Sequence, residues 1–398
     1  MKARHSPMED GSATAESTSF LATETLRTPP RSILGRTIAP RPQLKIAILG
    51  PWLTRSLGDG AAAAYRSLVR ELAARGHEVL FLERRNEDSV GQKMRPVEAG
   101  RIEEYSSLKE LKNTHAVALR DADFVLVASQ VAEARDIGNW ITRHARGVTA
   151  FYDLNTPLTL ASLAEDKQGS ISGELLARYD LYLSFMGGPL LEQLEDKLGV
   201  RMARPLYPAA DARLFFPELS KQTWDLGYLG AYSRDCLPAL ERLLIEPARR
   251  WPEGRFVVAG AGHPRSARWL NVKRIPQIPP QKRRAFYNSQ RFTLDIVPPD
   301  AIGLGHSPGA RLFEAAACGT PVITEFWQGL DDFFTPDEEI LISHSPDETL
   351  IYLEEISELD RRRLGYRARE RVLARHTSRH RAAELEGYVV ELLRRSAD

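Results

Sequence analysis

Short runs of apolar residues alternate along the chain with longer stretches in which apolar residues recur every three or four positions. The short runs are typical of buried strands, and the longer stretches are typical of amphipathic helices. In the first half this pattern predicts strands at 44–50, 78–82, Phe124–Ala128, 148–152, 181–185 and 202–206, and helices at 61–75, 106–119 and 131–145. Such alternation indicates parallel βαβ units, which bind ligands at the carboxyl ends of their strands.

The second half repeats the pattern, with strands predicted at 225–229, 255–259 and 292–296 and a helix at 236–250. Two consecutive halves of this kind predict an α/β fold with two doubly wound Rossmann-like domains, at 44–207 and 208–377. A cleft between them would bring both sets of strand ends to one ligand. We expect the hinge near 208–221.

Residues 1–43 are rich in Ser, Thr, Pro and Ala and show no sustained apolar periodicity. A segment of this composition buries too little apolar surface to fold by itself. We therefore predict that it is a flexible tail.

The net charge and the positions of the two cysteines exclude several classes of protein. Lys and Arg number 54 and Asp and Glu 53, so the net charge of +1 gives no overall attraction for nucleic acid or anionic lipid. The arginine run 361–363 is expected to be a solvated helix face. Cys236 and Cys318 are far apart and lack metal-ligand spacing, which indicates a reducing compartment. With no apolar stretch near eighteen residues, we predict a cytoplasmic protein without an integral membrane segment.

The segment 303–324, GLGHSPGARLFEAAACGTPVIT, carries the strongest chemical signal in the chain. It predicts a glycine-rich loop that runs into a helix N-terminus, where free N–H groups and the helix dipole attract an anion. Ser307 adds a hydroxyl, and Arg311 adds a bidentate phosphate donor. Glu314 lies one turn further and can accept two hydroxyl groups. This set fits a ligand with both phosphate and ribose, whereas the alternative is a plain connection with Glu314 on the surface.

At these residues the chain resembles the carboxy-terminal half of GT-B glycosyltransferases, most closely the spore maturation protein CgeB-like group. The shared segment has the form S-P-x-x-R-x-F-E-A-x-A-C-G-T-P-V-I, matched from Ser307 to Ile323. The resemblance implies a GT-B fold whose last segment, 378–398, packs back on the first domain as a helix at 378–394. It also implies a hexosyltransferase-type enzyme that takes a UDP-sugar as co-substrate and needs no cofactor.

One position departs from the wider superfamily. Its retaining members carry two glutamates separated by seven residues, and the second corresponds to Glu314. The first position is His306 here, so the acid that faces the donor sugar is absent. We therefore expect in-line displacement with inversion at the anomeric carbon, with a general base from the first domain.

Two further segments of the second domain resemble the family. The turn 228–235, YLGAYSRD, matches a strand-end turn beside the donor diphosphate, which implies that Gly230, Ser233 and Arg234 lie there. The alternative is that Gly230 only forms a tight turn and Arg234 only a surface contact. The segment 275–279 resembles the part that frames the nucleobase, where Gln277 can bind the base or remain a solvated loop residue.

The first domain supplies the candidates for the acceptor side. The segment 56–68 resembles the family's S-x-G-N-G-x-A-x-x-Y-R-x-L, which implies that Gly58 and Gly60 turn the chain at the mouth of the first strand. It lacks the G-x-G-x-x-G register, which disfavours a dinucleotide cofactor. The segment 151–160, FYDLNTPLTL, resembles F-Y-D-I-D-T-P and directs Asp153 and Thr156 toward the cleft.

The general base has two candidates, Asp153 and Asp59, and either aspartate can instead stabilise a turn or cap a helix. The Asp121-Ala-Asp123 triplet precedes its strand, away from the expected cleft, so we expect a metal-independent reaction. The acceptor is a small molecule, a glycan or a protein. Two other functions stay open. One is a GT-B-shaped nucleotide-sugar epimerase, and the other is a non-catalytic nucleotide-sugar-binding protein.

Overall fold

The computed structural model describes residues 42–53, 60–85, 100–165, 169–264 and 271–397. Seven parallel strands form the first sheet in the order β3-β2-β1-β4-β5-β6-β7. They are β1 (Lys45–Gly50), β2 (Glu78–Arg84), β3 (Arg101–Tyr105), β4 (Phe124–Ala128), β5 (Val148–Asp153), β6 (Leu181–Ser184) and β7 (Ala203–Pro205). Strand β4 is apolar throughout, and β1 and β5 are mostly apolar, because helices cover both faces of the sheet.

Six parallel strands form the second sheet in the order β10-β9-β8-β11-β12-β13. They are β8 (Trp224–Leu229), β9 (Phe256–Ala259), β10 (Val272–Ile275), β11 (Gln290–Asp295), β12 (Val322–Thr324) and β13 (Leu341–Ile342). The predicted fold class, an α/β protein with two doubly wound parallel sheets, is therefore confirmed.

Helices connect the strands of both sheets. Those of the first domain are α1 (Gly60–Ala74), α2 (Leu108–Thr114), α3 (Ala116–Arg120), α4 (Ala134–His144), α5 (Thr156–Ala164), α6 (Gly173–Leu176) and α7 (Pro189–Leu198). Those that follow β8 are α8 (Leu237–Leu240), α9 (Glu246–Arg250), α10 (Pro280–Asn288), α11 (Pro299–Leu304), α12 (Ala310–Ala317), α13 (Pro346–Glu355), α14 (Glu358–Arg375) and α15 (Ser378–Ala397). A π-helical turn (Glu241–Ile245) joins α8 to α9, and a 3-10 turn covers Leu330–Asp332.

Local sequence explains where several helices begin. Five of them follow a Ser or Asn whose side-chain oxygen accepts a hydrogen bond from a backbone N–H of the first turn, as expected for N-caps. These residues are Ser107, Asn155, Ser172, Ser345 and Ser357.

The structure differs from the local predictions in several places. The helix predicted at 106–119 is divided into α2 and α3 at the buried residue His115. Strand β3 was not predicted, because its sequence RIEEY has little apolar content at the sheet edge. Arg361 is 4% exposed and donates to the carbonyl oxygen of Arg291, so the run 361–363 is not wholly a solvated face.

The last helix belongs structurally to the first domain. Helix α15 packs against α1, and its residues Ala382, Leu385 and Val389 are buried in the same apolar cluster as β1, β4 and β5. The second domain has separate apolar clusters around β8, β11 and α12. The chain therefore crosses between the domains twice, once after β7 and once before α15.

The two crossings lie side by side. The backbone N–H of Ala210 donates to the carbonyl of His376 at 3.0 Å, and the N–H of Ser378 donates to the carbonyl of Ala210 at 3.1 Å. The buried Arg381 reaches back from α15 to the carbonyl of Pro208. Rotation of one domain against the other would therefore bend both crossings at the same place.

Candidate active site between the two sheets

Each sheet has one point where the strand order reverses, between β1 and β4 in the first and between β8 and β11 in the second. In doubly wound sheets ligands bind just beyond the carboxyl ends of the strands at such a point. At the second point β8 leads into Gly230 and β11 ends at Asp295. The loop 305–309 and the start of α12 lie next to them.

A cavity of about 520 Å³ opens between the domains at this point. On one side its lining includes Asn155, Phe185, Met186 and Pro208, and on the other Asp295, Ser307, Gly309 and Arg311. The loop and the helix start predicted from the sequence therefore face the interdomain cleft. The volume is within the range of small-molecule sites.

Arg311 connects α12 to the turn that follows β8. Its Nη1 donates to the carbonyl oxygen of Leu229 at 2.8 Å, and its guanidinium carbon lies 5.8 Å from the centre of the Tyr228 ring. A Cβ on Gly230 would lie 2.5 Å from Nη1 and 2.3 Å from the Tyr228 hydroxyl, so only glycine leaves room for this arrangement. About a third of the Arg311 side chain is exposed, which leaves part of the guanidinium available to a ligand.

Asp295 is a residue of this site that the sequence reasoning missed. Its side chain is 5% exposed, and Oδ1 lies 3.9 Å from Nε of Arg311. Burial raises the pKa of this carboxyl group, and the positive charge of Arg311 opposes the rise. The available signal was an acid at the last position of a buried strand, directly before the glycine-rich loop.

Glu314 is buried rather than on the surface, which excludes the alternative of a plain exposed connection. The Tyr287 hydroxyl donates to its Oε2 at 3.2 Å, and Nη1 of Arg283 lies 3.6 Å from its Oε1. Burial raises the pKa of the Glu314 carboxyl, and Arg283 opposes the rise. The side chain faces α10, so its predicted contact with a ribose stays a prediction.

The other predicted donor-side residues lie at strand ends but make fewer contacts with the cleft. Ser233 is half-buried, and its hydroxyl accepts the backbone N–H of Asp235 at 3.3 Å, as in a tight turn. Arg234 and Gln277 are exposed, and neither belongs to the described lining of the 520 Å³ cavity. Their predicted contacts with the donor stay predictions.

His306 contacts residues of both domains. Its backbone is in the left-handed region (φ 46°), and its ring packs between Gly188 and Gly329. Its Nδ1 lies 3.2 Å from Oδ2 of Asp332, and its carbonyl accepts the N–H of Gly187 at 3.0 Å. The residue therefore forms a contact between the domains, and its assignment to the catalytic group stays a prediction.

Asp153 and Thr156 are also turned away from the cleft. Asp153 is 1% exposed, and its oxygens accept the Tyr182 hydroxyl at 2.5 Å and the backbone N–H of Asn155 at 3.0 Å. The Thr156 hydroxyl lies 2.8 Å from that of Ser184. Because both side chains are used inside the first domain, Asp153 is not placed to take a proton from an acceptor. The exposed Asn155 lines the cleft instead.

The first sheet carries a second cavity, of about 440 Å³, at its own reversal point. Its lining includes Gly50, Trp52, Arg84 and Gln130. Trp52 is 39% exposed, and its indole N–H donates to the carbonyl of Arg84, which holds the ring beside the opening. Nearby Glu133 pairs with Arg84 at 3.0 Å and has a left-handed backbone (φ 60°).

The remaining first-domain predictions concern Gly58, Asp59 and Gly60. Gly60 is the first residue of α1, whereas Gly58 and Asp59 lie outside the described residues. Asp59 therefore stays a candidate base on sequence grounds. Among the residues that the structure describes, no three His, Cys, Asp or Glu side chains are grouped to hold a metal ion. In the same part of the chain, no helix has the length and apolar character needed to cross a membrane.

The second domain matches a known family, and the fold of the whole chain matches solved structures. Residues 234–387 match a family described as glycosyl transferase-like. A search of curated proteins gives no match. The fold is similar to that of sucrose-phosphate synthase from Thermosynechococcus elongatus, with a TM-score of 0.64 and 16% identity over 89% of this chain and 99% of that one.

Two further solved structures carry bound nucleotides. Anabaena HepE, in complex with UDP and glucose, gives a TM-score of 0.60 at 11% identity over 88% of this chain and 100% of that one. An α-glucosyltransferase in complex with UDP-glucose and DNA containing an abasic site gives 0.64 at 12% identity, with the same two coverages. The chain therefore has the GT-B fold, and most of its second domain resembles the glycosyl transferase-like family.

Proposed function

We propose that this protein transfers a hexose from a UDP-sugar to an acceptor bound by the first domain, without a metal ion. The main support is the position of Arg311 and Ser307, which line the interdomain cavity at the reversal point of the second sheet. The match of residues 234–387 and the UDP ligands of similar structures point to the same donor class.

The donor diphosphate would bind at the N-terminus of α12. Backbone N–H groups, the Ser307 hydroxyl and the exposed part of Arg311 would then stabilise the charge that grows on the departing diphosphate. These groups are fixed before the ligand arrives, because Arg311 is already held by Leu229. The sugar would extend from the diphosphate into the 520 Å³ cavity.

The acceptor would enter from the reversal point of the first sheet. The 440 Å³ cavity offers the exposed face of Trp52 and the amide of Gln130. Aromatic side chains bind apolar ring faces well, so a glycan or a ring-containing small molecule fits better than an unstructured peptide. Inversion at the anomeric carbon remains our expectation, and Asp59 is the remaining candidate base.

Ligand binding tests the donor assignment directly. Wild-type protein is titrated calorimetrically with UDP, UDP-glucose, ADP and GDP, and we expect the two uridine ligands to bind best. Arg311→Ala should weaken UDP binding by roughly 1.5–3 kcal/mol, or about 10- to 150-fold, the range for a hydrogen bond to a charged group. Arg362→Ala, an exposed arginine on α14, is the matched control. Equal UDP affinity in wild type and Arg311→Ala would remove Arg311 from the site.

Turnover separates the three functions that the sequence left open. Release of UDP with a glycosylated acceptor identifies a transferase, and an isomerised sugar without UDP release identifies an epimerase. Tight donor binding without turnover of any acceptor identifies a binding protein. The burial of Asp153 disfavours the epimerase, which would need several acids around the sugar.

A further inference from the structure

A buried carboxylate lies beside the proposed diphosphate site. Asp295 ends β11, is 5% exposed, and lines the same cavity as Ser307 and Arg311. A Cβ on Gly309, the residue that precedes α12, would lie 3.8 Å from both of its carboxylate oxygens. A fixed negative charge in this position opposes the binding of another anion.

The contacts of Asp295 differ from those of a structural carboxylate in the same sheet. Asp225, in β8, accepts the backbone N–H and the guanidinium of Arg255 and is also paired with Arg291. Asp295 has one ion pair, with Arg311 at 3.9 Å, and its Oδ2 accepts no hydrogen bond within the described part of the chain. Buried carboxylate oxygens usually have partners, so the position is not explained by folding alone.

Asp295 and a bound diphosphate would both interact with Arg311. Its Nη1 is bound to Leu229, and its Nε faces Asp295, so a diphosphate that approaches the guanidinium must compete with a carboxylate already present. In an effective dielectric of about 20, a like charge within about 10 Å of a ligand changes its affinity on the order of tenfold or more.

We propose that Asp295 is a positioning residue that offsets the charge of Arg311 and weakens the hold on the diphosphate, so that the nucleoside diphosphate product is released. This role rests on the proposed transfer from a UDP-sugar. It assigns to Asp295 no contact with the reacting atoms.

The test asks whether removal of the Asp295 charge changes the binding of ligands that contain phosphate but not that of uridine, which has none. Asp295→Asn is titrated calorimetrically with UDP, with inorganic pyrophosphate and with uridine. We expect about tenfold tighter binding of UDP and pyrophosphate and unchanged binding of uridine. Asp331→Asn removes an exposed carboxylate of the same domain and should change each affinity less than twofold. Asp295→Ser, which also removes the charge, is the second variant if Asp295→Asn does not fold.

A purely structural role predicts the opposite sign. If Asp295 only holds Arg311 in place, the variant binds pyrophosphate more weakly, and the proposal is wrong. Unchanged pyrophosphate affinity also overturns it. Failure of the wild-type protein to bind either UDP or pyrophosphate would refute the donor assignment itself, which is a different result. In turnover assays the variant should show stronger inhibition by added UDP.

Discussion

Replacing Gly230 by alanine tests whether the turn after β8 sets the position of Arg311. The new Cβ would lie 2.5 Å from Nη1 of Arg311 and 2.3 Å from the Tyr228 hydroxyl, whereas ordinary contacts are 3.4–4 Å. Both groups must therefore retreat by about 1 Å. That shift removes Arg311 from its hydrogen bond with Leu229, which is 2.8 Å long in the native arrangement.

The substitution is expected to affect both ligand binding and folding. The end of Arg311 is flexible and about a third exposed, but the Tyr228 ring is rigid, 3% exposed and part of the apolar cluster around β8, and its Cζ would lie 2.6 Å from the new Cβ. The backbone of Gly230 is not in the left-handed region, so the displaced ring is the source of strain, and the melting temperature should fall. UDP affinity should fall by roughly 1.5–3 kcal/mol, as for a lost hydrogen bond to a charged group. Gly303→Ala, on α11, is the matched control, because nothing lies within 4 Å of its added Cβ.

A double-mutant cycle tests whether Gly230 affects UDP binding through Arg311. In an Arg311→Ala background the added Cβ at residue 230 has no guanidinium to displace, so the second substitution should have almost no further effect on UDP binding. Additive losses would show that Gly230 acts on the ligand by another route. Full UDP affinity in the single variant Gly230→Ala would refute the arrangement itself.

Three other outcomes are expected. Glu314→Gln should weaken UDP binding in calorimetry but leave pyrophosphate binding unchanged if Glu314 holds the ribose, and equal losses would place it outside the ribose site. Trp52→Ala should raise the acceptor KM roughly 2- to 12-fold with an unchanged UDP affinity, since an aromatic contact contributes about 0.5–1.5 kcal/mol. Burial, with the nearby charge of Arg381, lowers the pKa of His376 to about 3. An unfolded histidine titrates near 6.5, so the folded state should lose stability as the pH falls from about 6.5 toward 3. The melting temperature of His376→Phe should therefore decline less than that of wild type between pH 6.5 and 5.

Much of the fold could be predicted from the sequence because buried parallel strands are short apolar runs. Strand β4, predicted at Phe124–Ala128, has the predicted bounds. The edge strand β3 could not be found in this way, because RIEEY is half-exposed and lacks the apolar signal. An unbroken apolar run indicates a strand buried on both faces, and an edge strand is less buried.

The direction of polar side chains was harder to predict. The sequence places Asp153 at the end of a buried strand, which is the usual position of a cleft residue. The Tyr182 hydroxyl, from the neighbouring strand β6, instead binds that carboxylate inside the domain. For Asp295 the same position in β11 does face the cleft. The two aspartates differ in their partners on other elements, and a single sequence does not contain that information.

The return of α15 to the first domain has a consequence for synthesis on the ribosome. Ala382, Leu385 and Val389 complete the first apolar cluster, yet they follow the end of β7 by roughly 180 residues. At about 5–20 residues per second, the ribosome needs roughly 10–35 s to reach them. During that interval the α1 surface that α15 covers is exposed, so the first domain is a substrate for chaperones until the second is almost complete.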